Sequence, residues 1–212
     1  MSTDNYCGIT KEKLEIYLSE LGKLINKKKA KGFYSELVIV GGASILLNYG
    51  FRTMSYDIDC TDSSGILMND VVNEVAEKYD LPSNWINTDF VQTKSYSNKL
   101  SQYSQYYKSY GHGALIVRTI KDEYLIAMKA VSARKYKNDY PDILGIINEC
   151  QDSGKAMTFE LIKKAIINLY DSFDVVSDEM LKYLKSILES NATIDQQIDN
   201  KKESVLKIVE KR

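Results

Sequence analysis

Asp57-Ile58-Asp59 sets two carboxylates on either side of one apolar residue. On a β-strand, side chains alternate between faces, so Asp57 and Asp59 share one face and Ile58 takes the other. Two carboxylates on one face repel each other unless a cation sits between them. Oxygen donors of this kind suit Mg²⁺ or Mn²⁺, and Mg²⁺ commonly takes one or two carboxylates and completes its shell with water and substrate phosphates. Upstream stands Gly41-Gly42-Ala43-Ser44. Backbone N–H groups and a hydroxyl at a helix start form a cradle for phosphate. Arg52 and Ser55 lie between the two motifs in a polar turn, where Arg52 is expected to pair with an acid or with phosphate. The combination points to chemistry on a metal-held phosphate.

Short elements must position these groups. Leu37–Val40 is apolar and β-branched, and reads as a buried strand. Gly41-Gly42 ends it with backbone freedom. Ser44–Tyr49 reads as a short helix, which Gly50 is expected to stop. Upstream, Lys11–Lys29 has leucines at helical spacing, and Thr10 can cap it. The basic residues Lys27–Lys31 read as a solvated helix end. The first ten residues are expected to be loose. Downstream, Ile66–Tyr79 reads as a helix, Asp89–Thr93 as a short strand and Leu115–Thr119 as a buried strand. Asp122–Arg134 is helical in propensity and apolar on most faces. It nevertheless carries Lys129, which must either reach the surface or meet anions. A lone buried ammonium is replaceable by an apolar chain, so Lys129→Met is expected to be tolerated by the fold. Asp139 and Asp142 flank Pro141, a residue suited to the first turn of a helix, where acids complement the dipole. Thr158–Tyr170, Ser177–Ser190 and Ile194–Lys211 are helical in period.

The series Gly41, Gly42, Ser44, Arg52, Ser55, Asp57, Ile58, Asp59 resembles the DNA-polymerase-β-like nucleotidyltransferase superfamily. More narrowly it resembles the small bacterial branch that includes abortive-infection and toxin–antitoxin nucleotidyltransferases. The resemblance implies an α/β (α+β) fold: a small mixed sheet of nucleotidyltransferase type with flanking helices in residues 1–150, then a helical C-terminal part in residues 151–212. It implies transfer of a nucleotidyl group from a nucleoside triphosphate, with Asp57 and Asp59 holding Mg²⁺. That branch carries a lysine on a helix, then an arginine, then Asp-x-x-Asp, places occupied here by Lys129, Arg134, Asp139 and Asp142. Leu115–Thr119 holds Arg118 and no acid, a departure from the superfamily pattern. A third acid must come from elsewhere, with Asp139 ranked first and Asp142 second. The branch also implies an RNA acceptor such as a tRNA end, and a cognate antitoxin protein as partner.

Composition sets outer limits. The chain has 212 residues and a net charge of −1, so any nucleic-acid contact must use a local basic patch. Thr93–Tyr110 has no acid, three lysines (Lys94, Lys99, Lys108) and five tyrosines. It reads first as an exposed hairpin and, compatibly if that hairpin borders the site, as a surface for stacking bases and meeting phosphates. Cys7, Cys60 and Cys150 fit no zinc spacing and suggest reduced thiols in a cytoplasmic protein. No signal peptide or membrane span is read. No P-loop or dinucleotide motif is present. Two other readings stand beside the transferase: a non-catalytic relative that binds protein or RNA, and a metal-dependent glycosyltransferase, which also uses Asp-x-Asp.

Overall fold

The computed structural model describes residues 8–28, 33–62, 69–134 and 137–190. The first seven residues, Cys7 among them, and the expected helix Ile194–Lys211 lie outside the described residues. The fold is a mixed α/β structure with one five-stranded sheet. Its order is β3-β2-β1-β5-β4, with β1 at Ser35–Ile39, β2 at Ile58–Asp62, β3 at Ile86–Asn87, β4 at Ser104–Tyr110 and β5 at Leu115–Ile120. The central strand β1 runs antiparallel to β2 and parallel to β5. β2 pairs parallel with β3, and β5 antiparallel with β4.

Alternation along β1 sorts the two cores. Leu37 and Ile39 face α1 (Lys11–Lys28) and α3 (Asn69–Tyr79). Val38 and Val40 face α4 (Asp122–Ser132), α5 (Asp139–Asp152) and α6 (Phe159–Tyr170). Val176, Met180 and Leu184 join that second core, the last two from the helical residues 178–190. On the first side Trp85 is fully buried, and its indole N–H donates to the Val72 carbonyl at 3.2 Å. Its ring meets Tyr17 edge-on.

Most elements fall where the sequence puts them, with four differences. The helix after β1 is α2, Gly41–Asn48, and begins at the glycine pair rather than at Ser44. Gly41 itself has φ +60°, the left-handed turn that lets the strand feed the helix directly. α2 ends at Tyr49 in extended backbone, φ −128° and ψ 160°, and not through a left-handed Gly50. The expected strand Asp89–Thr93 is a 3₁₀ turn at Asp89–Gln92. Asn87 Oδ1 accepts the Asp89 N–H at 2.9 Å, and the Thr93 hydroxyl donates to the Phe90 carbonyl at 2.7 Å. Such side-chain bonds compete with ladder pairing and turn the chain. Only the second half of Thr93–Tyr110 is hairpin strand; Leu100–Tyr103 is a second 3₁₀ turn.

Candidate active site

At one end of the sheet a cavity of about 500 Å³ opens between the β1–α2 junction, the start of β2, the turn after β3, and α4 with its following loop. Asp57, just ahead of β2, and Asp59 within it both line this cavity, while Ile58 between them is fully buried. The alternation expected of Asp-x-Asp is therefore realised. Ser55, nearly buried, donates its hydroxyl to the Asp57 carbonyl at 2.9 Å and so fixes the approach to the pair.

Gly41 and Gly42 form the floor. A Cβ on Gly41 would lie 3.3 Å from Asp59 Oδ2. One on Gly42 would lie 2.8 Å from the Arg52 guanidinium and 3.2 Å from Ser55 Oγ. Both positions are thus filled by the site itself. Val40 offers α2 no side-chain cap, so the first N–H groups of the helix keep no acceptor from that source. Ser44, by contrast, is on the far side of α2. It is fully buried, its Oγ accepts the Ile120 N–H at 3.3 Å, and it does not line the cavity.

The lining also carries cations. Lys129, almost buried, places Nζ 3.0 Å from Asp139 Oδ1 and 2.8 Å from Asp142 Oδ2. Arg134 donates to Asp139 from its backbone N (2.9 Å), Nε (3.0 Å) and Nη2 (3.3 Å). Arg52 donates from Nη1 to both oxygens of Asp142, at 2.9 and 2.8 Å, and from Nε to the Met54 carbonyl. Two buried carboxylates thereby hold three cations, all of which line the cavity, whereas Asp139 and Asp142 do not. Of the two roles open to Lys129, it meets anions. Arg52 pairs with an acid. Asp139 and Asp142 stand behind the cations rather than beside Asp57 and Asp59, so they position charge instead of offering free oxygens to a metal. Burial opposes ionisation of Asp139, but the hydrogen bonds and charges of Arg134 and Lys129 outweigh it and hold its pKa low. Arg134 is pushed up by the same bond to Asp139.

Asp59 behaves oppositely. Burial first, then the charge of Asp57, raises its pKa from 3.8 to about 6; Arg134 and Lys129 oppose the rise and Asp89 adds to it. Asp89 lines the same cavity and is an acid that the sequence pattern does not single out. A local signal exists for it: Trp85-Ile86 is apolar and strand-like, and the turn at Asp89 leaves that strand beside β2. Tyr56, Lys137 and Asn138 also line the cavity and carry no motif of their own.

The donor set can be tested against a divalent cation. Among the described residues no three His, Cys, Asp or Glu side chains converge tightly enough to form a cation site alone. Two adjacent carboxylates, one of them made reluctant to ionise by burial and by the charge of the other, with a glycine floor against Asp59, fit a hard cation whose other ligands are phosphate and water. The residues therefore fit Mg²⁺ or Mn²⁺.

The pKa of Asp59 carries a stability signature. Between about pH 4 and 6 the folded protein holds a proton on Asp59 that the unfolded chain has released. Stability from this group therefore falls as pH rises through that window and is level above it. Asp59→Asn cannot ionise. In metal-free buffer it is expected to melt above the unsubstituted protein at pH 7.5, with the gap closing toward pH 4. Thermal melts of both proteins at the two pH values check this, and a gap of equal size at both would refute it.

The lysines of Thr93–Tyr110 are largely spoken for. Lys99 pairs with Asp171 at 2.6 Å, and Lys108 with Glu15 at 2.7 Å. Glu15 also accepts from the Tyr107 and Tyr110 hydroxyls. Tyr103 stacks on Tyr124 at 4.1 Å, and Tyr96 packs on Phe90. Only the start of the segment, Thr93 and Ser95, lines the cavity. No helix among the described residues is long and apolar enough to cross a membrane.

A family model described as "Nucleotidyltransferase of unknown function (DUF6036)" matches residues 12–183, which take in the whole cavity. No curated protein and no solved structure matches the chain.

Proposed function

This chain belongs to the DUF6036 family of nucleotidyltransferases, and from that premise we propose that its cavity moves a nucleotidyl group from a nucleoside triphosphate to an acceptor hydroxyl. The observation that carries the reading is one cavity lined both by the carboxylates Asp57 and Asp59 and by three fixed cations. Asp57 and Asp59 would hold Mg²⁺ or Mn²⁺. When bound, the ion neutralises phosphate oxygens and lowers the proton affinity of an acceptor hydroxyl.

The chain's own groups account for the rest. The N–H groups of Gly41 and Gly42 receive phosphate oxygens at the start of α2. Lys129 and Arg134 face the leaving pyrophosphate and stabilise the charge that grows on it. Arg52, tied to Asp142, holds the floor beside Gly42. The acceptor oxygen bonds to the α-phosphorus, the bond from that phosphorus to the bridging oxygen breaks, and pyrophosphate leaves. The acceptor's proton passes to Asp89, the further carboxylate that lines the cavity.

The acceptor on this reading is RNA, in keeping with a toxin of a toxin–antitoxin or phage-defence pair held in check by a cognate antitoxin protein. Structural support is confined to the rim. Lys94 is exposed between Thr93 and Ser95, which line the cavity, and Lys137 lines it beside α5. Incubation with Mg²⁺, each α-labelled triphosphate and total RNA tests the proposal. Label is expected on RNA, with one pyrophosphate released per label transferred. Label on protein alone would overturn the RNA acceptor. No transfer to any acceptor, with triphosphate still bound, would favour a non-catalytic binding module.

A further inference from the structure

Tyr56 precedes Asp57 and lines the cavity, yet it is 67% exposed, the largest exposure of any large hydrophobic residue described. No hydrogen bond, ion pair or ring contact among the described residues holds it. Exposing an aromatic ring to water forgoes the favourable burial that such a side chain usually finds. The remaining lining offers no other exposed aromatic ring. Phe90, the other ring on the wall, is 6% exposed and packed edge-on against Tyr96. Met128 is 5% exposed, and the remainder of the wall is mostly polar or charged.

A nucleoside triphosphate carries two unlike ends. Its phosphates suit the charged interior; its base is a flat ring that gains by stacking. With the phosphates drawn to Gly41, Gly42 and the cations, the base must lie toward the mouth. We infer that Tyr56 is the stacking platform for the base of the donor nucleotide, an inference that rests on the triphosphate reading of the cavity. Every base has a π-face, so a lone ring stacks all four, with only modest preference among them. The site therefore selects for the presence of a base more than for its identity.

Calorimetric titration of the full chain with Mg²⁺ and ATP, GTP, CTP, UTP or inorganic tripolyphosphate tests this. Tyr56→Ala is expected to weaken all four nucleotides by roughly 5- to 150-fold and to leave tripolyphosphate unchanged. Tyr56→Phe keeps the ring and should bind as the unsubstituted protein does. Melting temperatures should move little, since the side chain is mostly exposed. Unchanged nucleotide binding in Tyr56→Ala overturns the inference. So does an equal loss for nucleotides and tripolyphosphate, which would mean that Tyr56 shapes the metal site instead. Weaker binding of a short RNA with intact nucleotide binding would assign the ring to the acceptor and overturn the donor role. Failure of the unsubstituted protein to bind tripolyphosphate with Mg²⁺ overturns the triphosphate reading itself, and the platform with it.

Discussion

Asp57→Asn and Asp59→Asn are each expected to abolish Mg²⁺-dependent triphosphate turnover, by about a thousandfold or more, while the protein stays folded. The size comes from the several kcal/mol that a metal supplies to a phosphate-transfer transition state, at about 1.4 kcal/mol per tenfold. Neither carboxylate holds the fold together: Ile58 makes the buried contact and both acids face the cavity. Asparagine keeps shape and removes one anionic ligand. Loss of Mg²⁺ binding by calorimetry should accompany loss of turnover, with circular dichroism unchanged. A variant that keeps turnover would remove the metal role from that residue.

Lys129→Met is expected to lower turnover by about a hundredfold or more, because the ammonium faces charge that develops only in the transition state. It should also cost stability, by about 3–5 kcal/mol. This reverses the expectation drawn from the sequence. There, Lys129 is a lone charge in an apolar helix, and methionine looks harmless. In the structure its removal leaves Asp139 and Asp142 buried with one cation each instead of a shared third. Breaking one side of a buried ion cluster is costly because it strands the other side. The double variant Lys129→Met/Asp142→Asn should recover part of the stability, as one stranded carboxylate leaves with the ammonium, and none of the turnover. Melts and rates on the three proteins decide it. Full turnover in Lys129→Met, measured below its melting temperature, would confine the lysine to a structural role.

What the sequence reveals and what it conceals divides along chain distance. The strand–glycine–helix unit and Asp-x-Asp are local patterns, and period alone places Asp57, Asp59 and Ile58 correctly. Charge partners are not local. Lys129 meets Asp139 ten residues on, and Arg52 meets Asp142 ninety residues on. No spacing rule says which acid a given cation will find, so Asp139 and Asp142 rank from sequence as candidates for a third acid, and only the structure shows both engaged by cations. The same blindness affects Thr93–Tyr110. Its lack of acids suggests a free basic surface, but Asp171 and Glu15 arrive from distant segments to neutralise Lys99 and Lys108. Asp89 is hidden for a different reason: an Asx bond from Asn87 turns the chain where strand propensity would carry it straight.

Trp85 is the only tryptophan in the chain, so its fluorescence comes from one place. Sealed in the core beneath α1 and α3, the indole emits to the blue of a solvated one and shifts red when that core admits water. Far-ultraviolet circular dichroism instead sums helices on both sides of the sheet. A melt followed by both signals therefore reads the coupling between the cores without any label. Coincident curves mean that β1, shared by both, binds them into a single cooperative unit. Separated curves mean that the α4–α6 side, which carries Lys129 and Arg134, loosens on its own schedule.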